Sequence, residues 1–381
     1  MNTKWIHNGK GGRTLEYGSV LELDDLNMYR IPDAVKEIRL PFMGSDDYNT
    51  VFYQSGRNAI ESLLLFLKNE KNIRCVLLPD YICDTVADAA ERAGVEIKRY
   101  LLDKDYGFDI SEVNGKATGD CCIYICHYFG TPVSDEVIEA VNMWKSKGIC
   151  VIEDVTMSLL SRGESVGFGD YILGSLRKWF PIPDGGFVSS KTSVLPEEPV
   201  RDKVSKYTDY YLAVQMMKRQ YICGGCKDPE LKDLYLSYYK ESIRELFSDY
   251  KIYPISDWSY NYLQNVDIES VRDLRIRNYD LLYDLLKDVE GISVKVKRSG
   301  DNIPFGMVIL SDKRDELLSE LIKNDLYCNV HWRLTEDVCT GGTDGAYLSA
   351  HSITVPCDQR YSEENIRRIA DIIKVSVKSV C

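Results

Sequence analysis

The sequence predicts an α/β fold: a mostly parallel sheet covered by helices on both faces, followed by a smaller α+β domain. Three observations carry this expectation. The first half of the chain holds six short apolar runs, too continuous in apolar character to be half-exposed strands. Segments of helical period lie between them. From about residue 203 the pattern changes to long, tyrosine-rich, charged helices, and then to a mixture of short strands and helices.

Taken in order, the strand candidates are Arg74–Pro79, Val95–Leu101, Cys121–His127, Ile149–Asp154, Tyr171–Leu176 and Gly186–Ser189. Helical spacing appears in Ile60, Leu63, Leu64 and Leu67, again in Val86, Ala89, Ala90 and Ala93, and in Val137, Ile138, Val141 and Trp144. In the tail, a helix over Val266–Val289 carries Val271, Leu274, Leu282 and Leu285. After it come Ile292–Val296, Phe305–Ser311, a helix from Lys313 to Asn324, a run Cys328–Trp332, Ile353–Pro356 and a closing helix Glu363–Val375. The chain divides into an N-terminal arm (1–44), a large domain (45–250) and a small domain (251–381). No internal repeat or low-complexity segment is present.

Composition bounds the function. A chain of 381 residues, 44% hydrophobic and 28% charged, suits two globular domains. No apolar stretch approaches the roughly 18 residues that span a bilayer. The start, Met1 to His7, lacks the apolar core of a signal peptide, so a soluble cytoplasmic protein without a membrane partner is expected. Twelve cysteines in that setting are expected to be reduced thiols. The net charge of −12 argues against a nucleic-acid partner, which needs a basic face. Cys223 and Cys226 have C-x-x-C spacing, yet no second pair follows and the chain has only four histidines. A glycine turn with incidental thiols is therefore preferred to a metal or redox site. Gly9-Lys10-Gly11-Gly12 lacks a preceding strand and the GK[ST] ending of a phosphate loop. The tyrosines between Tyr207 and Tyr239 either line a substrate cleft or pack between domains or subunits, the second being the commoner use of tyrosine.

In such sheets, ligands sit beyond the carboxyl ends of the strands. Those ends deliver Pro79-Asp80-Tyr81, His127-Tyr128-Phe129-Gly130, Glu153-Asp154 and Ser175-Leu176-Arg177-Lys178. A carboxylate at one strand end and a lysine past another are what pyridoxal phosphate (PLP) chemistry needs. The amine forms a Schiff base with the cofactor aldehyde, and the carboxylate keeps the pyridine nitrogen protonated. Ser55-Gly56-Arg57-Asn58 opens a helix whose free amides can receive a phosphate, or Ser55 is a plain N-cap.

Set in order, Ser55-Gly56-Arg57-Asn58-Ala59-Ile60, Pro79-Asp80-Tyr81, His127-Tyr128-Phe129-Gly130, Ile152-Glu153-Asp154, Lys178 and Gly185-Gly186 resemble the DegT/DnrJ/EryC1/StrS aminotransferases. Arg277-Asn278-Tyr279, Asn329-Val330-His331-Trp332 and Ser352 to Cys357 extend the likeness to the tail. The resemblance implies the fold-type I PLP-dependent transferase fold, with a seven-stranded, mostly parallel sheet. It implies an aminotransferase that moves an amino group from an amino acid, glutamate foremost, to a keto sugar, commonly nucleotide-linked, and that works as a homodimer. Lys178 would hold the cofactor and shuttle the proton, and Asp154 would pair with the pyridinium. The amides of Gly56 and Arg57 would hold the phosphate with Ser175, and His127 would stand near the ring.

This chain also departs from the family pattern. The usual ring-stacking aromatic, four residues past the strand-end proline, is Cys83 here, which leaves Tyr81 or His127 to stack. Three residues past the aspartate stands Met157, which donates no hydrogen bond. Ser175 lies three residues before the lysine rather than five. The family's Gly-x-Asn segment is not recognisable around Asp257–Asn265. These departures keep a second reading open, a non-catalytic relative retained for binding or regulation. Related sugar dehydratases replace the lysine with histidine, so Lys178 argues against that branch.

Overall fold

The computed structural model describes residues 16–200, 205–223, 228–334 and 342–380. The arm carries a short strand, β1 (Tyr17–Gly18), and leads to β2 (Asn49–Tyr53). Ser55 caps α1 (Gly56–Glu70), its Oγ accepting from the Asn58 amide at 3.1 Å. An alternation follows: β3 (Cys75–Pro79), α2 (Asp84–Ala93), β4 (Glu96–Tyr100), α3 (Ile110–Lys116), β5 (Cys121–Cys126), α4 (Asp135–Ser146) and β6 (Cys150–Asp154). Gly94, at φ +65°, ends α2 in left-handed backbone that a side chain would strain. Next come β7 (Tyr171–Ser175) and β8 (Gly186–Ser190).

These strands make one seven-stranded sheet in the order β2-β8-β7-β6-β5-β3-β4. The pairs from β4 through β7 are parallel, and β8 runs antiparallel to both of its neighbours. Every residue of β3, β5, β7 and β8 is buried, which is why the sequence shows unbroken apolar runs rather than alternation. Leu63, Leu64 and Leu67 of α1 pack into the same core as Ala89, Ala90 and Val141. Each such leucine contributes about 1.5–3 kcal/mol by leaving water. A second core joins Leu23, Tyr29 and Leu40 of the arm to Ile172, Trp179 and Phe187.

Two long helices, α5 (Lys206–Cys223) and α6 (Pro229–Ser248), pack on each other and hold the arm. Lys218 donates to the Gly18 and Val20 carbonyls at 3.0 and 2.8 Å. The tail comprises α7 (Asp257–Asn265), α8 (Ile268–Leu286), β9 (Ser293–Val294), β10 (Met307–Leu310), α9 (Arg314–Lys323), β11 (Leu326–Tyr327), α10 (Asp344–His351), β12 (Ser352–Val355) and α11 (Glu363–Val380). Strands β12, β10 and β9 form an antiparallel sheet, and β1 pairs with β11. A third core gathers Leu282, Leu286, Met307, Ile309, Leu321, Ile366 and Ile373.

Several local expectations are corrected. The strand of the run Cys328–Trp332 lies earlier, at Leu326–Tyr327, and the run itself makes only the bridge Asn329–Thr354. The expected helix from Val266 starts at Ile268, because the Asp267 side chain accepts from the Ser270 amide and caps it. The thiols are not all free: the register sets Cys75 opposite Cys121, and the two form a disulfide. Cys223 is an exposed free thiol, while Cys226 and the Gly9–Gly12 stretch lie outside the described residues. Among the described residues, no helix is long and apolar enough to cross a membrane.

Candidate active site

The register of β5 against β6 pairs Tyr124 with Ile152 and Cys126 with Asp154. Residues in register share a face, so Tyr124, Cys126 and Asp154 point to the same side of the sheet. Asp154 is 6% exposed. Its Oδ2 accepts from Tyr124 Oη at 2.7 Å and its Oδ1 from the Thr156 amide at 2.8 Å. The carboxylate is thereby fixed in orientation, with further lone pairs left for a ligand.

Lys178 ends a single 3₁₀ turn, Leu176–Lys178, directly after β7. The Leu176 amide bonds to the Gly185 carbonyl at 3.0 Å, and Trp179 Nε1 donates to the Thr156 carbonyl at 2.7 Å. The lysine turn is thus tied to the segment that follows Asp154. Burial pushes the Lys178 amine below the usual lysine range and Arg177 adds to this, while Cys83, Asp154 and Cys126 oppose it. His331 also stands near Lys178. Its Nδ1 meets Thr354 Oγ1 at 2.9 Å, and burial, aided by the Lys178 charge, holds its pKa down to about 3. The imidazole is therefore neutral at ordinary pH.

Lys178 and Asp154 open on one cavity that also includes Ser55, Gly56 and Arg57 at the start of α1. Ser175, Arg177, Thr156, Cys126 and Trp332 complete its polar and aromatic lining. Tight glycines bring these elements together. A Cβ on Gly56 would meet Ser175 Cβ at 3.3 Å, and one on Gly186 would lie 2.3 Å from the Ser55 backbone. The turn between Lys178 and β8 is anchored by buried Asp184, which accepts from Thr208 Oγ1 at 3.0 Å, from Ser256 Oγ at 2.8 Å and from Ser259 Oγ.

Of the residues expected from sequence, Lys178, Asp154, Gly56, Arg57 and Ser175 converge on this cavity. His127 and Tyr81 do not. His127 follows Cys126 and so turns to the opposite face, where its Nε2 meets Glu153 Oε1 at 2.8 Å. Glu153 also accepts the Gly167 and Gly169 amides, so this is a buried structural network. Tyr81 is buried among aromatic rings, 5.9 Å from Tyr128 and 5.4 Å from Trp332, and its hydroxyl donates to the His331 carbonyl. Neither ring is placed to stack on a ligand beside Lys178. Cys83 and Met157 do line the cavity.

Tyr124, Cys126, Arg177 and Trp332 were not assigned from sequence. Tyr124 and Cys126 carry a signal, since they alternate toward one face of an apolar run, but only the register shows that the face is that of Asp154. Arg177 lay in plain view beside Lys178. The lining fits a phosphorylated pyridine aldehyde: an amine for the aldehyde, an oriented carboxylate for the ring nitrogen, and a helix N-terminus for the phosphate. The buried Arg57 Nε and Arg177 Nε lack hydrogen-bond partners and suit an anion.

No protein-family model matches the sequence, and no curated protein matches it. The fold, by contrast, is shared with solved structures. PseC of Helicobacter pylori, an aminotransferase involved in the biosynthesis of pseudoaminic acid, superposes with a TM-score of 0.62 at 13% identity, over 87% of each chain. A DegT DnrJ EryC1 StrS aminotransferase from Brucella abortus gives 0.57 at 16% identity, over 86% of this chain and 85% of that one. NtdA of Bacillus subtilis, solved with bound cofactor PMP, gives 0.60 at 12% identity, over 86% of this chain and 73% of the other. The chain therefore shares the fold-type I architecture of these proteins.

Proposed function

We propose that this chain is a PLP-dependent aminotransferase that moves an amino group from an amino acid, glutamate foremost, to a keto sugar, nucleotide-linked in the favoured case. The observation that carries the reading is that the Lys178 amine and the oriented Asp154 carboxylate share one cavity with the α1 N-terminus. The shared fold supports it.

When bound, PLP supplies an aldehyde carbon for the amino group and a ring that stores the electron pair released by deprotonation. The residues divide the remaining work. Lys178 Nζ would hold the aldehyde carbon covalently. As a neutral amine beside the cavity, Nζ would also take a proton from the donor carbon and return it. Its lowered pKa leaves more of it in the neutral form that both tasks need. Asp154, fixed by Tyr124 and Thr156, would keep a proton on the ring nitrogen. The Gly56 and Arg57 amides, with Ser175, would hold the phosphate. Neutral His331 adds no competing charge beside the amine.

We further propose a cytoplasmic homodimer. Met216, Leu234, Phe247 and Tyr250 are exposed on and just past α5 and α6, and Phe247 adjoins Leu246 of the cavity wall, which supports an interface bordering the site. Seven of the described cysteines are free thiols, which supports a reducing compartment, while the Cys75–Cys121 disulfide counts against it. Met157 and Cys83 in the lining favour the one competing reading, a non-catalytic binding protein. Incubation of the PLP-loaded protein with glutamate separates the two. Formation of 2-oxoglutarate and the pyridoxamine form of the cofactor supports the aminotransferase. A loaded protein that no amino acid converts supports the binding protein.

A further inference from the structure

We propose that Arg177 is the charged side-chain ligand of the cofactor phosphate, a role that rests on the cofactor reading above. Arg177 lies in the 3₁₀ turn beside Lys178 and lines the same cavity wall as Ser55, Gly56 and Arg57. Its Nε is buried without a hydrogen-bond partner. Burying an N–H of a cation without an acceptor is costly, so the position calls for one. Among the described residues no carboxylate in the lining meets that need: Asp154 is the sole acidic one there, and it is held by Tyr124 and Thr156.

The surroundings set Arg177 in place without spending its donors on an anion. The guanidinium carbon lies 5.9 Å from the Tyr207 ring centre and 5.7 Å from that of Tyr211. The Tyr211 hydroxyl accepts a hydrogen bond from the guanidinium, and the two α5 rings lie within cation–π range of its charge. Arg57, the other guanidinium of the wall, has an unpartnered Nε as well, but it is anchored away by one nitrogen on the Leu246 carbonyl at 2.9 Å and by its Cζ 4.3 Å from the Phe247 ring centre. Arg57, Arg177 and Lys178 place three cations in a cavity with one carboxylate. A phosphate dianion at the α1 N-terminus balances that surplus. The arrangement also gives Tyr207 and Tyr211 a task, as the backing of this arginine.

The test compares PLP with pyridoxal, which has the aldehyde and ring but no phosphate. Dissociation constants for both are read from the visible absorption of the covalent adduct at Lys178, in wild type, Arg177→Gln and Arg177→Lys. The expected result is a loss for PLP of roughly ten- to a hundredfold in Arg177→Gln, the size of one charge-assisted hydrogen bond. Pyridoxal should bind within about twofold of wild type, and Arg177→Lys, which keeps a charge against Tyr207 and Tyr211, should fall between. The proposal is overturned if either variant binds PLP as wild type does. Parallel losses for PLP and pyridoxal overturn it as well, since they mark a packing role. Wild type that takes up neither compound sinks the cofactor reading itself and this proposal with it.

Discussion

Tyr124 donates its hydroxyl to Asp154 Oδ2 at 2.7 Å from the adjacent strand, and both side chains are buried. One hydrogen bond to a buried charge is worth about 1.5–3 kcal/mol. Tyr124→Phe leaves only the Thr156 amide to orient Asp154. Amino transfer should slow by about tenfold or more while the cofactor stays bound. An unchanged rate in the phenylalanine variant would show that the hydroxyl does not position Asp154.

Removing the carboxylate is predicted to do more. Asp154→Ala should retain part of the bound cofactor, through Lys178 and the α1 amides, yet lose most of the turnover, by a factor of about 10² or more. Single-turnover conversion with glutamate measures this directly. A variant with wild-type rates removes Asp154 from the mechanism.

Gly186 passes so close beneath the start of α1 that a Cβ would lie 2.3 Å from Ser55 carbon and oxygen and 2.6 Å from the Gly56 nitrogen. These neighbours are backbone atoms that cannot swing aside. Gly186→Ala should therefore destabilise the protein by about 1–3 kcal/mol and weaken PLP binding by shifting the phosphate amides. Urea unfolding and a PLP titration check the two halves. Wild-type values in both would mean that α1 tolerates displacement.

Asp184 makes a pH-dependent contribution of definite sign. Burial raises its pKa from the ordinary 3.8 to about 6, despite hydrogen bonds from Ser259, Ser256 and Thr208. The folded chain holds the proton more tightly than the unfolded one. Its contribution is then fully present below about pH 4 and is lost as the pH rises through about 6. The stability of wild type relative to Asp184→Asn should fall by about 2 kcal/mol from pH 4 to pH 7. A flat or rising difference in denaturant titrations contradicts the assignment.

The central strands were legible because both of their faces are covered. Val76, Ile123 and Ile172 sit in unbroken apolar runs, and the observed ends fall within one or two residues of those read from sequence. Strand Asn49–Tyr53 was not read as one, since it begins with polar residues at the sheet edge and pairs with a distant strand. Helix Asp344–His351 escaped for a similar reason: its glycine, alanines and serine give no apolar stripe. Within the site, Lys178 and Asp154 could be set side by side by strand order, since each lies at a strand end. His127 could not, because a single residue past Cys126 reverses its face and only the register with Asp154 reveals it. Tyr81 was drawn away by a tertiary aromatic cluster that includes Trp332, 251 positions later in the chain.

The most direct test of the account is borohydride reduction of the PLP-loaded protein, followed by peptide mass analysis. The account predicts a yellow wild-type protein with the reduced cofactor fixed to the peptide that contains Lys178, and no trapped cofactor in Lys178→Ala. Trapping at another lysine, or equal trapping in the alanine variant, would contradict it.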